Sequence, residues 1–109
     1  MGTDIDLNLY KVFYVVANAG NITKASEELY ISQPAVTKSI KQLENSLGGK
    51  LFIRTKKGVK LTDEGNVLLK YVKNILEEAK NAENKFNSLM KLEEGKIHIG
   101  ASATVTKHF

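Results

Sequence analysis

The chain contains no cysteine at all. Disulfide staples and thiolate metal sites are thereby excluded, and the composition suits a reducing compartment such as the cytosol. Histidine is nearly as scarce. His98 and His108 are the whole supply, and both stand near the C-terminal end. No metal-ligand spacing can be built from them. Neither a glycine-rich phosphate loop after a strand nor a nucleophile motif occurs, so no residue pattern points to an enzyme or to a cofactor held by these residues. Long apolar runs are missing too. The stretch VFYVVANAG after Lys11 is far too short to cross a bilayer. Its leader carries Asp4 and Asp6, the wrong sign of charge for a secretory signal, so the stretch reads as a buried helix. Internal repeats and low-complexity tracts are also lacking.

What remains is a chain of 109 residues with 42% hydrophobic residues, enough for one small core plus an appendage and too many for a disordered chain. The net charge is +4. Its distribution is more telling than its size. Between Gln33 and Lys60 stand seven basic residues (Lys38, Lys41, Lys50, Arg54, Lys56, Lys57, Lys60) against one acid, Glu44. That local excess of six, seven minus one, exceeds the net charge of the whole chain. A positive face this concentrated attracts a polyanion such as DNA.

The apolar spacing predicts a mainly α-helical protein. Leu9, Val12, Phe13 and Val16 recur at i, i+3, i+4 and i+7, one face of a helix over about 7–18 that Gly20 ends. Asn21 or Thr23 caps a short second helix from Lys24 to Leu29, with Ala25 and Leu29 inward. Ser32 caps a third, with Pro34 in its first turn, where a missing N–H costs nothing. Val36, Ile40, Leu43 and Leu47 form its inner stripe, and Gly48-Gly49 stops it. Gln33, Thr37 and Lys41 recur every four residues on the outer face, with Pro34 and Lys38 beside them. Two helices joined by the short Tyr30-Ile31 connection, the second polar outside, describe a helix-turn-helix. Leu51–Ile53 and Val59–Leu61 then read as two strands around a basic tip, Lys56-Lys57-Gly58: a wing.

Thr62 or Asp63 caps a last helix that reaches Lys91, about 40 Å long. Leu68, Val72, Ile75, Ala79, Ala82, Phe86 and Leu89 alternate in steps of four and three, the 3.5-residue period of a coiled-coil seam. Pairing with a second copy is the expected way to cover it, packing on further chain the alternative. Glu93-Glu94-Gly95 is expected to break the helix. Ile97, Ile99 and Ala101 alternate with Lys96, His98 and Gly100, as a half-buried strand does. A lone strand needs neighbours, which predicts that the chain is the front part of a longer protein.

The helix following the turn fits the DNA major groove, and its N-terminal residues are those that reach base edges. Here these are Gln33, Pro34, Thr37 and Lys38. Both amide groups of Gln33 can pair with adenine, Lys38 can donate to guanine, and Pro34 and the Thr37 methyl can touch a thymine methyl. Ser32, Lys41, Arg54, Lys56 and Lys57 are placed at phosphates, which fix register and supply salt-dependent affinity. A protein-binding adaptor built on the same fold is the rival reading, against which the basic face argues.

The run AGNITKASEELYISQPAVTKSIKQLENSLGGKLFIRTKKGVKLTDEG resembles the N-terminal winged helix-turn-helix of LysR-type transcriptional regulators. The S-Q-P-A-V-T-K-x-I stretch, L-E-x-x-L-G, L-F-x-R and L-T-x-x-G carry the likeness, which covers about residues 5–92. The following GKIHIGASATV resembles the first strand of that family's effector-binding domain. The resemblance implies three parts: a DNA-binding domain over 1–62, a linker and dimerisation helix over 63–92, and a hinge with the first strand of a truncated effector domain over 93–109. It implies a bacterial, cytoplasmic regulator that binds interrupted dyads as a homodimer or tetramer. A small-molecule coinducer acts on the intact protein, near positions matching Ser102 and Thr104. Base contacts fall on Gln33, Pro34, Thr37 and Lys38, and the wing arginine on Arg54. Lys38, Lys57 and Lys60 depart from the pattern, standing where arginine is frequent. Lysine lacks the planar fork, which weakens guanine selectivity at Lys38.

Overall fold

Each of the first three helices begins at a side chain that accepts an otherwise orphaned backbone N–H, and this sets where the turns fall. The computed structural model describes residues 5–100, with side chains described through Glu93. The order is α1 (Leu7–Ala19), α2 (Ile22–Leu29), α3 (Gln33–Leu47), β1 (Phe52–Thr55), β2 (Gly58–Leu61) and α4 (Asp63–Gly100). The chain divides into two units, the first ending at Asn74 and the second beginning at Ile75.

In the first unit, Asp6 caps α1 by accepting the Asn8 N–H at 2.8 Å, and the four apolar residues of its stripe are all buried. Asn21 caps α2, its Oδ1 accepting the Lys24 N–H at 2.6 Å. That cap lets α2 start at Ile22, two residues before the start expected from spacing, and draws Thr23 into the first turn. Ser32 caps α3 through its Oγ, which accepts the Ala35 N–H at 3.2 Å. Val36, Ile40 and Leu43 are buried as their spacing requires. Leu47, the fourth member of that stripe, is not: it is 43% exposed. It stands in the last turn before Gly48 takes a left-handed φ of 81°, and it lines a hollow with Leu51, Val67, Leu68 and Tyr71.

The α2–α3 turn is closed by two hydrogen bonds, Tyr30 N–H to Glu27 O and Ile31 N–H to Ser26 O, a Schellman pattern. The left-handed position of that motif usually belongs to glycine. Here Tyr30 holds it at φ 58°, the one non-glycine with positive φ among the described residues. For a residue with a Cβ this conformation costs roughly 1–2 kcal/mol.

The strands pair antiparallel in the register Phe52↔Leu61 to Thr55↔Gly58, leaving Lys56 and Lys57 as the turn. The first strand is displaced from the expected Leu51–Ile53. Leu51 lies just before it and is buried in the core, while Phe52 packs its ring 5.4 Å from that of Phe13. Of the two candidate caps for α4, Thr62 serves. Its Oγ1 donates to Lys50 O and accepts the Gly65 N–H. Gly65 is obligatory there, because a Cβ would run into the Leu51 carbonyl oxygen.

Two expectations for α4 need correction. The helix does not break at Glu93-Glu94-Gly95 but continues to Gly100, so Ile97 and Ile99 lie on a helix rather than a strand. A helix satisfies its backbone groups internally, whereas a strand needs a neighbour; one glycine costs only about 1 kcal/mol in a helix. Ala101, Ser102 and Thr104 lie outside the described residues. The second correction concerns Val72. It is fully buried in the single chain, within the first unit, and so cannot also face a second copy. A 3.5-residue period tells which side chains share a face, not what covers it. Leu68 is half-buried in the same unit. In the second unit Ala79 is half-buried, Ala82 is exposed, and Ile75, Phe86 and Leu89 are 39%, 61% and 51% exposed.

Candidate nucleic-acid interface

The outer face of α3 starts with Gln33, Pro34 and Lys38, all exposed, and Thr37, half-buried. These four and Lys41 border one open concavity of about 780 Å³, which Arg54 of β1 also lines. Six of the nine residues expected at DNA are thus gathered around one hollow. Ile22 of α2 lines it too, which places the start of α2 beside the outer face of α3. Lys56 and Lys57 stand apart from it at the hairpin turn, both exposed, where a tip can follow the DNA backbone.

Gln42 and Asn45 also border the hollow, two residues that are not among the expected DNA contacts. The signal was present. Asn45 continues the four-residue row Gln33, Thr37, Lys41, and Gln42 stands four residues beyond Lys38. Lys50 was counted in the basic cluster without a role. It lines a second hollow between α3 and β1 together with Lys41 and Arg54. Glu44 lines it as well, and of these three cations Lys50 is the one in an ion pair with its carboxylate.

Glu44 organises this junction. It is buried, 8% exposed, and its Oε2 accepts the Leu51 N–H at 2.8 Å. Its Oε1 stands 3.8 Å from Lys50 Nζ, whose side chain is 77% exposed. A carboxylate taken from water needs such partners. The N–H bond is the stronger anchor, because a pair with so exposed an ammonium is largely screened. The consequence is mechanical: a side chain of α3 holds the entry to β1.

A second tie holds the far strand. Val59 N–H donates to Gly20 O at 3.0 Å, joining β2 to the α1–α2 corner. Gly58, at φ 151°, permits the approach, since a Cβ there would strike the Gly20 carbonyl oxygen. Gly20 has two uses. At φ 79° it ends α1, its N–H donating to Val16 O, and it presents its carbonyl to the wing.

Ser32 has a divided task. Its Oγ accepts from Ala35, yet a hydroxyl retains its own proton to donate, so the cap and a phosphate contact are compatible. No helix among the described residues is long and apolar enough to cross a membrane.

Comparison with known proteins agrees with this geometry. Among curated relatives, HTH-type transcriptional regulator CfxR of Cupriavidus necator is 38% identical over 105 residues, covering 96% of this chain and 33% of that protein. The HTH-type transcriptional regulator YoaU of Bacillus subtilis, itself uncharacterized, is 41% identical over 106 residues, covering 94% of this chain and 36% of that protein. The chain thus spans about a third of the length of the curated relatives it matches. Among solved structures, a CbnR_DBD-DNA complex superposes with a TM-score of 0.73 at 32% identity, covering 79% of this chain and 99% of that one. A BenM_DBD/benA site 1 DNA complex gives 0.74 at 28% identity, covering 78% and 99%. Residues 7–66, more than half of the chain, match the family model of bacterial regulatory helix-turn-helix proteins, lysR family. The three-helix core, the wing and the polar outer row of α3 are therefore those of a member of the LysR family of bacterial regulatory proteins, to which this chain belongs.

Proposed function

We propose that the chain is the DNA-reading part of a LysR-type transcriptional regulator in the bacterial cytoplasm. In this reading α3 enters the major groove and reads base edges with Gln33, Pro34, Thr37 and Lys38. Ser32, Lys41, Arg54, Lys56 and Lys57 hold the backbone, the last three from the wing. The observation that carries it is the single concavity that collects Gln33, Pro34, Thr37, Lys38, Lys41 and Arg54 from two elements. The resemblance to CbnR and BenM domains solved with DNA supports the same reading.

A homodimer on an interrupted dyad is the assembly that fits best. Ile75, Phe86 and Leu89 leave an apolar row open along the second unit, and a second copy would cover it. Two-fold symmetry then matches two half-sites about one helical turn, or a multiple of it, apart. Residues 1–62 act as reader and the helix beyond as linker, with a tetramer available to the intact protein. A small-molecule coinducer belongs to an effector domain that Ser102 and Thr104 would enter.

Binding-site selection with the purified chain, followed by salt titration on the selected duplex, tests the proposal. Enrichment of a dyad, with affinity falling steeply as salt rises, is expected. Failure to enrich any sequence, or indifference to salt, would favour the protein-binding adaptor.

A further inference from the structure

Tyr30 is the residue whose placement folding does not explain. Tyr30 is 94% exposed, the most of any large hydrophobic residue described, so it contributes nothing to the core. Its backbone occupies the left-handed position of the α2–α3 turn, where glycine or asparagine is the comfortable choice. A strained conformation and a bare aromatic ring coincide at one position, and such outliers gather where a surface is used. The position is also specific. Tyr30 precedes Ser32 by two residues and Gln33 by three, and three residues span at most about 11 Å. The residue therefore stands within that reach of the start of α3, on the turn between α2 and α3.

We propose that Tyr30 is a DNA-contacting residue: its phenol O–H donates to a phosphate oxygen and its ring covers the adjoining deoxyribose. This rests on the DNA-reading function above. Tyrosine is among the side chains that bond phosphates, and the contact is blind to sequence. It differs from the lysine contacts in one measurable respect. A neutral phenol neutralises no phosphate and releases no counterion, so it adds affinity without adding to the salt slope.

Three proteins decide the matter: the wild-type chain, Tyr30→Gly and Tyr30→Phe, each titrated with a labelled mixed-sequence duplex and with the selected duplex over a range of salt. The expected result is an unchanged or raised melting temperature for Tyr30→Gly with affinity about tenfold lower on both duplexes at an unchanged slope. Tyr30→Phe should lose most of that factor. Wild-type binding with unaltered affinity in Tyr30→Gly overturns the proposal and leaves the DNA reading intact. Unaltered affinity in Tyr30→Phe alone removes the hydroxyl from it. Absence of wild-type binding overturns the DNA reading itself, and this inference with it.

Discussion

At the scale of single residues, the interface separates side chains that read from side chains that hold the reader in place. In the proposed reading Gln33 belongs to the first kind, being exposed at the first position of α3. Gln33→Ala should relax preference at one or two base positions, with a loss of about 1–3 kcal/mol in discrimination. Unchanged preference in a repeat of the selection would contradict this. Glu44 is of the second kind. Glu44→Ala leaves the buried Leu51 N–H without its acceptor, which should lower stability by about 1–3 kcal/mol in a denaturant titration. Glu44→Gln keeps an acceptor oxygen and should recover most of the loss. Equal losses in the two variants would mean that charge, through Lys50, matters more than the hydrogen bond. Gln42 and Asn45 show why some residues escape a sequence reading. Their amides look like any solvated helix surface until the fold puts them on one hollow with Arg54 of β1.

At the scale of elements, the wing as proposed is a clamp that should bind all sequences alike. Lys57→Ala is expected to reduce affinity similarly for specific and mixed duplexes and to lower the salt slope by about one. A loss confined to one sequence would instead place Lys57 in a groove. The elements themselves were largely legible. The buried stripes of α1 and α3 follow the spacing of Leu9 to Val16 and Val36 to Leu43, because amphipathic period and burial share one cause in a small core. Boundaries were less so. The start of α2 depends on whether Asn21 or Thr23 turns inward to cap, and the two differ by only two residues. Leu51 joined the core rather than the strand, since an apolar run marks burial and not pairing.

At the scale of the whole molecule, the apolar row of α4 falls into a buried part and an exposed part, to which the proposed function gives different tasks. Val72 belongs to the fold of the first unit, and Val72→Glu should unfold it, at a cost of about 3 kcal/mol or more. Circular dichroism would register this as a collapsed melting temperature. Phe86→Glu, at a position 61% exposed, should leave the melting curve of the reader intact and convert dimers to monomers in light scattering. A persistent dimeric mass would refute the pairing of these helices. Periodicity alone could not make this division, because a heptad seam and a core-facing stripe look the same until something packs on one of them. The two ties on the wing carry a last consequence. With the entry to β1 bound to α3 through Glu44 and β2 bound to the α1–α2 corner through Gly20, the proposed reader and clamp are tied into one template. Any mismatch in shape must then be absorbed by the duplex. Base pairs that no side chain touches, lying between the groove read by α3 and the groove under the wing, should be selected for how easily they bend.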